Sequence, residues 1–220
     1  MAFGPSNRML VVKKHRFIQL NTMALDSDVT LPDVRAESDS FLSSAVDGRA
    51  LGTAQDNSGV TVLMTHLPLF RSDDTSCGSL REPWGHVTYE HPSYRYASHV
   101  DVLSKELSER LLTTLKPSVV LSGHTHAWCN FTHSAGTQEY TIPAFTWGQR
   151  PDPSYGVLDL EGGDAPTMTL CRLPFEPHVF ALYGTALLLI AVRWATWAHG
   201  AVTRWRARQL DSIHAAKKTP

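Results

Sequence analysis

Two histidines one residue apart, His124 and His126, follow an apolar run and a glycine in Ser118-Val119-Val120-Leu121-Ser122-Gly123-His124-Thr125-His126. A third, His66, follows another such run, Val60-Thr61-Val62-Leu63-Met64-Thr65. Neutral imidazole is the commonest side-chain ligand for zinc-, manganese- and iron-class ions. Three imidazoles at the ends of two strands therefore read as donors to a metal centre. The chain bends at Gly123, so both imidazoles of the pair can turn into one site, and a glycine there permits close backbone approach. The other eight histidines, His15, His86, His91, His99, His133, His178, His199 and His214, read as surface or hydrogen-bonded core residues.

The elements that must position this trio follow from periodicity. Met9 to Val12 and Arg16 to Leu20, separated by Lys13-Lys14-His15, read as a β-hairpin with a polar turn. Residues 26 to 58, rich in Asp, Ser and Gly, suggest a solvated connection around one short helix over about Ala36 to Val46. Val60 to Met64 is a buried strand, and residues 71 to 98 read as loop. Asp101 is placed to cap a helix in which Leu103, Leu107, Leu111 and Leu115 recur every four residues, and Pro117 stops it. Ser118 to Leu121 is the next strand, and Glu139 to Phe145, Tyr155 to Leu160 and Met168 to Leu173 are three more. Strand, helix, strand with histidines at loop starts is the pattern of an α/β domain. Because strand carboxyl ends open onto one sheet edge, His66 and the His124/His126 pair are expected to become neighbours.

Beyond this domain, Val179 to Val192 lacks any charge, and continuation to Ala198 gives about the twenty residues that span a bilayer. Arg193 lies near one end, where it can snorkel beside Trp194 and Trp197. From Arg193 onward six basic residues face one acidic, a net of +5, so the positive-inside rule puts the tail in the cytosol and the preceding domain in the lumen or outside. On that side Asn130-Phe131-Thr132 is a glycosylation acceptor. Lys217 and Lys218 stand where a dilysine signal for retrieval to the endoplasmic reticulum would stand. Met1 to Ser6 has no basic region followed by an apolar one, so either the chain is tail-anchored with its domain in the cytosol or its beginning is missing. With 20 basic and 21 acidic residues overall, no electrostatic pull toward nucleic acid exists. Cys77, Cys129 and Cys171 lack the spacing of a zinc ribbon, and at most one bridge can form among them.

Thr65-His66-Leu67-Pro68-Leu69-Phe70-Arg71 and Ser122-Gly123-His124-Thr125-His126 resemble the last two motifs of the calcineurin-like metallophosphoesterases. Asp101-Val102-Leu103-Ser104-Lys105, Pro143-Ala144-Phe145-Thr146-Trp147 and the carboxyl-terminal apolar segment are similar to the branch that removes ethanolamine phosphate from glycosylphosphatidylinositol (GPI) anchors in the early secretory pathway. The resemblance implies an α/β fold, an incomplete αββα sandwich followed by one transmembrane helix. Its division would be a lumenal phosphoesterase domain over residues 1–177, a membrane helix over 178–198 and a basic cytosolic tail over 199–220. It implies two divalent ions, commonly manganese, with His66 and His124 on one and His126 on the other. It also implies a membrane partner, a GPI-anchor glycan as substrate, residence in the endoplasmic reticulum or cis-Golgi, and hydrolysis of a phosphodiester. Arg71 could then meet a substrate phosphate, and Trp147 could stack on a glycan or simply pack. The family's Asp-x-His, Gly-Asp-x-x-Asp and Gly-Asn-His-Asp/Glu motifs do not occur in the 220 residues, so no catalytic acid is assignable and the chain reads as the carboxyl-terminal half of such an enzyme. Two other classes are a catalytically inactive membrane-anchored metal-binding or interaction module and a cytosolic tail-anchored protein with incidental histidines.

Overall fold

At Lys13 the backbone turns left-handed (φ 54°), which folds β1 (Arg8–Val12) back antiparallel onto β2 (His15–Gln19) with Val12 opposite His15. These details come from a computed structural model that describes residues 5–27, 31–46, 59–81, 94–134, 136–161 and 165–217, with side chains to 211. From β2 the sheet continues in parallel through β3 (Thr61–Met64), β4 (Val119–Ser122) and β6 (Gln138–Thr141). β5 (Cys129–Thr132) runs antiparallel on the far edge, giving the order β1-β2-β3-β4-β6-β5. β7 (Ser154–Asp159) and β8 (Thr167–Arg172) form a separate antiparallel pair.

Successive strand residues point to opposite faces, and the two faces of the large sheet are covered differently. Ile18, Leu63 and Val120 pack with Leu42 and Ala45 of α2 (Pro32–Val46) and with Leu107, Leu111 and Leu115 of α3 (Lys105–Leu115). Their neighbours Val62 and Val119 pack instead with Trp128, Tyr140 and, from the small sheet, Leu158, Met168 and Leu170. Gly156 lies at that second contact. A Cβ there would meet Met168 Sδ at 2.7 Å and Ile142 Cδ1 at 3.1 Å, so a larger residue would have to displace the flexible Met168 side chain and crowd Ile142. Among the described residues of this unit the arrangement is helices, sheet, sheet. The outer helical layer that the expected αββα sandwich needs is not formed by them, and Tyr155 and Val157 on β7 stay exposed.

The helices correct three local expectations. α2 starts at Pro32, four residues before Ala36, because proline suits the first helical turn, where its fixed φ helps and no N–H is needed. A short α1 (Thr22–Asp26), capped by Asn21 through a bond from Ala24 N at 3.2 Å, precedes the connection expected from residue 26 and was not among the expected elements. α3 is capped by Ser104, whose Oγ accepts from Leu107 N at 3.3 Å, and Lys116 ends it in a left-handed conformation (φ 45°). Asp101, the expected cap, is buried, and its Oδ2 accepts from Ala97 N at 2.8 Å and Tyr94 OH at 2.7 Å, shaping the preceding loop instead. β5 is a further strand beyond those expected: Cys129-Asn130-Phe131-Thr132 alternates apolar and polar over only four residues, and its pairing to β6 holds it.

The chain divides into two compact units, residues 1–173 and 174–220. The second is α4 (Glu176–Lys217), which begins two residues before 178 and runs through 199–217 without a break, as that stretch has four Ala and three Arg, both good helix formers, and no proline. By length and composition its Glu176–Asp211 stretch can cross a membrane.

Candidate functional site

β3 and β4 are adjacent and parallel, with Met64 opposite Leu121, so the loops that leave them start side by side. Pairing continues past the strand ends: Thr65 N donates to Leu121 O at 3.0 Å and Gly123 N to His66 O at 3.0 Å. The consequence is that His66 and His124 face each other. His66 Nε2 and His124 Nδ1 are 3.2 Å apart, with ring centroids at 5.1 Å and planes at 72°. His66 is exposed and His124 and His126 are partly buried, so solvent reaches the pair.

The chemistry of this donor pair suits a divalent ion. Two nitrogens bound to one tetrahedral ion at about 2.0 to 2.1 Å lie about 3.3 Å apart, close to the 3.2 Å observed. Metal-binding histidines commonly fix their orientation by hydrogen-bonding a backbone carbonyl with the other ring nitrogen. The backbone of Val100 lies within hydrogen-bonding reach of the His124 ring. Burial first, and then the neighbouring His66 ring, hold the His124 imidazolium below the ordinary histidine range, which favours the neutral, ligating form.

His124 and His126 both have left-handed backbones (φ 67° and 57°), a conformation that is uncommon for residues other than glycine. Strain of this kind, of order 1–3 kcal/mol per residue, persists only where the surroundings impose it. Here they do: Thr125 is buried and its N bonds Gly123 O at 2.8 Å. The carbonyl of His126 accepts from Ala144 N at 3.3 Å and from Arg150 Nη1 at 3.1 Å. Arg150 is in turn gripped by Asp152 through two bonds of 3.0 Å. Gly123 itself is not required sterically, since a Cβ there would rest 3.8 Å from His66 O, an ordinary contact.

His126 does not close with the other two into a group of three ligand atoms within 4.8 Å. The group that does meet that spacing among the described residues is Asp74, Cys77 and Cys129. It is not a metal site, because both sulfurs are joined in the Cys77–Cys129 disulfide and Asp74 pairs with Arg71 at 3.0 Å and Arg81 at 2.8 Å. The one bridge allowed by three cysteines is thus Cys77–Cys129, with Cys171 left as a thiol.

Arg71 is not available to a substrate phosphate in this arrangement. It is buried, with Nε on Asp74, Nη1 on Thr141 Oγ1 at 3.1 Å and its guanidinium 5.4 Å from the Tyr96 ring. Asn130 is exposed on edge strand β5. Trp147 and Phe145 are exposed, and Phe145 meets Tyr155 edge-on. Of the two retrieval lysines, Lys218 lies outside the described residues, as does the side chain of Lys217; His86 and His91 lie outside them too. His15 and His133 are buried, His15 accepting from Val60 N at 3.2 Å and His133 facing Glu139 at 2.8 Å. Glu139 and Arg150 were not singled out in the sequence. The available signal was a lone carboxylate in the strand-like run Glu139-Tyr140-Thr141-Ile142, since a charge in a central strand is seldom buried without partners.

No protein-family model matches the chain. It is similar to curated proteins named Metallophosphoesterase 1. It is 32% identical to that of Mus musculus over 84% of this chain and 48% of the relative, and 31% identical to that of Cricetulus griseus over 85% and 49%. Against the protein of that name from Gallus gallus the identity is 37% over 60% of this chain and 32% of the relative. The chain spans about half the length of the mammalian relatives. These similarities support the metallophosphoesterase family and, with it, use of a divalent metal.

Proposed function

We propose that this chain carries the histidine end of a metallophosphoesterase site on a membrane-anchored protein, and that the complete site hydrolyses a phosphodiester. The observation that carries the reading is the 3.2 Å approach of His66 and His124 at the ends of adjacent parallel strands. Both rings would hold one ion, while His126, with its left-handed backbone and its held carbonyl, would serve a second ion. A divalent ion, which we take to be manganese, would supply Lewis-acid polarisation of a phosphoryl oxygen and an acidified water. The carboxylate motifs that bridge two ions in the family do not occur among these 220 residues. Three neutral imidazoles do nothing to offset repulsion between two dications about 3.5 to 4 Å apart. The chain by itself is therefore expected to bind one ion and to hydrolyse little.

The finer reading is removal of ethanolamine phosphate from a GPI-anchor glycan, with the domain in the lumen of the endoplasmic reticulum or cis-Golgi and the tail in the cytosol. Its supports are the residue-by-residue resemblance, the apolar helix, the +5 tail, the exposed sequon and the Cys77–Cys129 bridge, which suits an oxidising compartment. Two measurements test these readings. Titration of the full chain in detergent with Co²⁺ should give one site that His66→Ala and His124→Ala each abolish; retained binding in both variants sinks the metal reading. Expression behind an exogenous signal peptide should give an endoglycosidase-sensitive form that Asn130→Gln removes, and an unmodified Asn130 there counts against a lumenal domain. The second reading is an inactive membrane-anchored metal-binding module, for which the close pair His66 and His124 suffices. It would be established if the chain, co-expressed with the remaining half of the mouse relative, released no ethanolamine phosphate from anchor glycans.

A further inference from the structure

The two histidine-bearing loops are tied together by a residue that neither contains. Glu139, on β6 and fully buried, accepts through Oε1 from Leu69 N at 3.1 Å and from Ser122 Oγ at 2.6 Å. Leu69 lies three residues after His66, and Ser122 lies two residues before His124. Through Oε2 the same carboxylate meets His133 Nε2 at 2.8 Å. Ser122 Oγ also contacts Thr141 Oγ1 at 3.0 Å, and Thr141 Oγ1 accepts from Arg71 Nη1, whose positive charge faces Glu139. A carboxylate is acceptor-only and offers several lone-pair directions, and an isolated buried charge is costly unless paired and hydrogen-bonded. This one has both compensations, and its three partners come from three segments. An apolar side chain of the same size would take the acceptor from Leu69 N and leave Ser122 Oγ with Thr141 Oγ1 alone, so the two loops would no longer share a partner.

We infer that Glu139 is a positioning residue for the histidine pair, the common acceptor that holds the His66 loop and the His124 loop at the spacing an ion requires. It touches neither imidazole and acts through Leu69 and Ser122. The inference bears on the reading of His66 and His124 as metal ligands, but its geometric content, the separation of the rings, stands apart from it. Partners outside the first ligand layer commonly change metal affinity by about 10- to 100-fold when removed.

The test uses the full chain in detergent micelles with selectively labelled histidines. The readouts are the ring-to-ring nuclear Overhauser effect between His66 and His124 in metal-free protein and the affinity for Co²⁺. Glu139→Ala should weaken the ring contact and lower Co²⁺ affinity by about 10- to 100-fold. Glu139→Gln, which keeps one acceptor oxygen for Leu69 N and Ser122 Oγ, should restore most of both. Ser122→Ala cuts only the β4 side of the tie and leaves the carboxylate with its other partners, so it tests the inference even if Glu139→Ala does not fold. It should keep the wild-type far-UV spectrum while the ring contact weakens. Unchanged ring contact in Ser122→Ala overturns the inference, and so does a Glu139→Gln protein as impaired as Glu139→Ala, since then the acceptor geometry is not what matters. A wild-type chain that binds no Co²⁺ but follows this pattern of ring contacts refutes the metal reading and leaves the positioning role standing.

Discussion

α3 and α4 are both built on leucine, yet they do opposite things with it. In α3, Leu107, Leu111 and Leu115 are at most 8% exposed and share a core with α2 and the sheet, while in α4 Leu187, Leu188, Leu189 and Ile190 are all more than 60% exposed. The spacing explains the difference. Leucines every fourth residue make one apolar stripe with charged residues on the other face, so the helix has an inside and an outside. Leucine, isoleucine and alanine in close succession make a helix apolar all round, which no single packed face can satisfy; such a helix suits a bilayer or a surrounding core. Such apolar surface is stabilised by burial in protein in α3, whereas α4 leaves it exposed on a helix long and apolar enough to cross a membrane.

The contrast can be broken at several points. The largest effect is expected from Leu188→Lys with Leu189→Lys. Each lysine at a bilayer centre costs about 2.5 to 3.5 kcal/mol, so the variant should fail to float with liposomes while the near-UV spectrum of the first unit stays the same. Next is Cys77→Ser. The bridge closes a sequence separation of 52 residues, and loop-closure entropy assigns it about 4 kcal/mol. Urea unfolding of the first unit should shift by that order, with flotation unaffected. Leu111→Ala removes a fully buried side chain from the α3 stripe and should cost the first unit about 2 to 5 kcal/mol. The matching Leu188→Ala in α4 should leave that stability where it was. Ser104→Ala loses the α3 cap and the hydroxyl that donates to Asp26, worth about 1 to 2 kcal/mol, read in the same unfolding curve.

Smallest of all is an acid effect confined to the first unit. Hydrogen bonds from the Thr75 hydroxyl at 2.6 Å and the Thr75 N–H at 2.9 Å hold the Asp73 carboxyl below the ordinary range. With a folded value below the unfolded one, its stabilisation is present above about pH 3.9 and is lost as pH falls through the folded value. The unfolding curves of Asp73→Asn and wild type should therefore differ at neutral pH and converge in strong acid. α4 has no acidic residue between Pro177 and Leu210, so its partition into liposomes should not follow that titration.

Legibility in the sequence divided along the same line. The hairpin, β3, β4, β7, β8, the α3 stripe and the apolar helix each follow from a pattern contained in one short stretch. The features that escaped are those whose partners lie elsewhere. β5 exists through its pairing with β6, Ser104 displaces Asp101 as the α3 cap while bonding Asp26 from α1, and Arg71 is drawn inward by Asp74 and Thr141. Glu139 is the clearest instance, since one carboxylate in an ordinary strand has no local mark of the three segments that meet on it.

The amino-acid sequence by itself determined the chemistry on offer: three imidazoles after apolar strands, one disulfide at most, a run apolar enough to cross a membrane, and the charges at its end. These are properties of side chains and of their spacing along a few turns or strands, and they hold whatever the rest of the chain does. Only the tertiary structure decided that β3 and β4 are neighbours, that His66 and His124 therefore meet at 3.2 Å while His126 stays outside a 4.8 Å grouping with them, and that Cys77 chooses Cys129. Such distances depend on the order of strands in the sheet, which is set by how apolar faces and backbone hydrogen bonds are satisfied together across the whole unit.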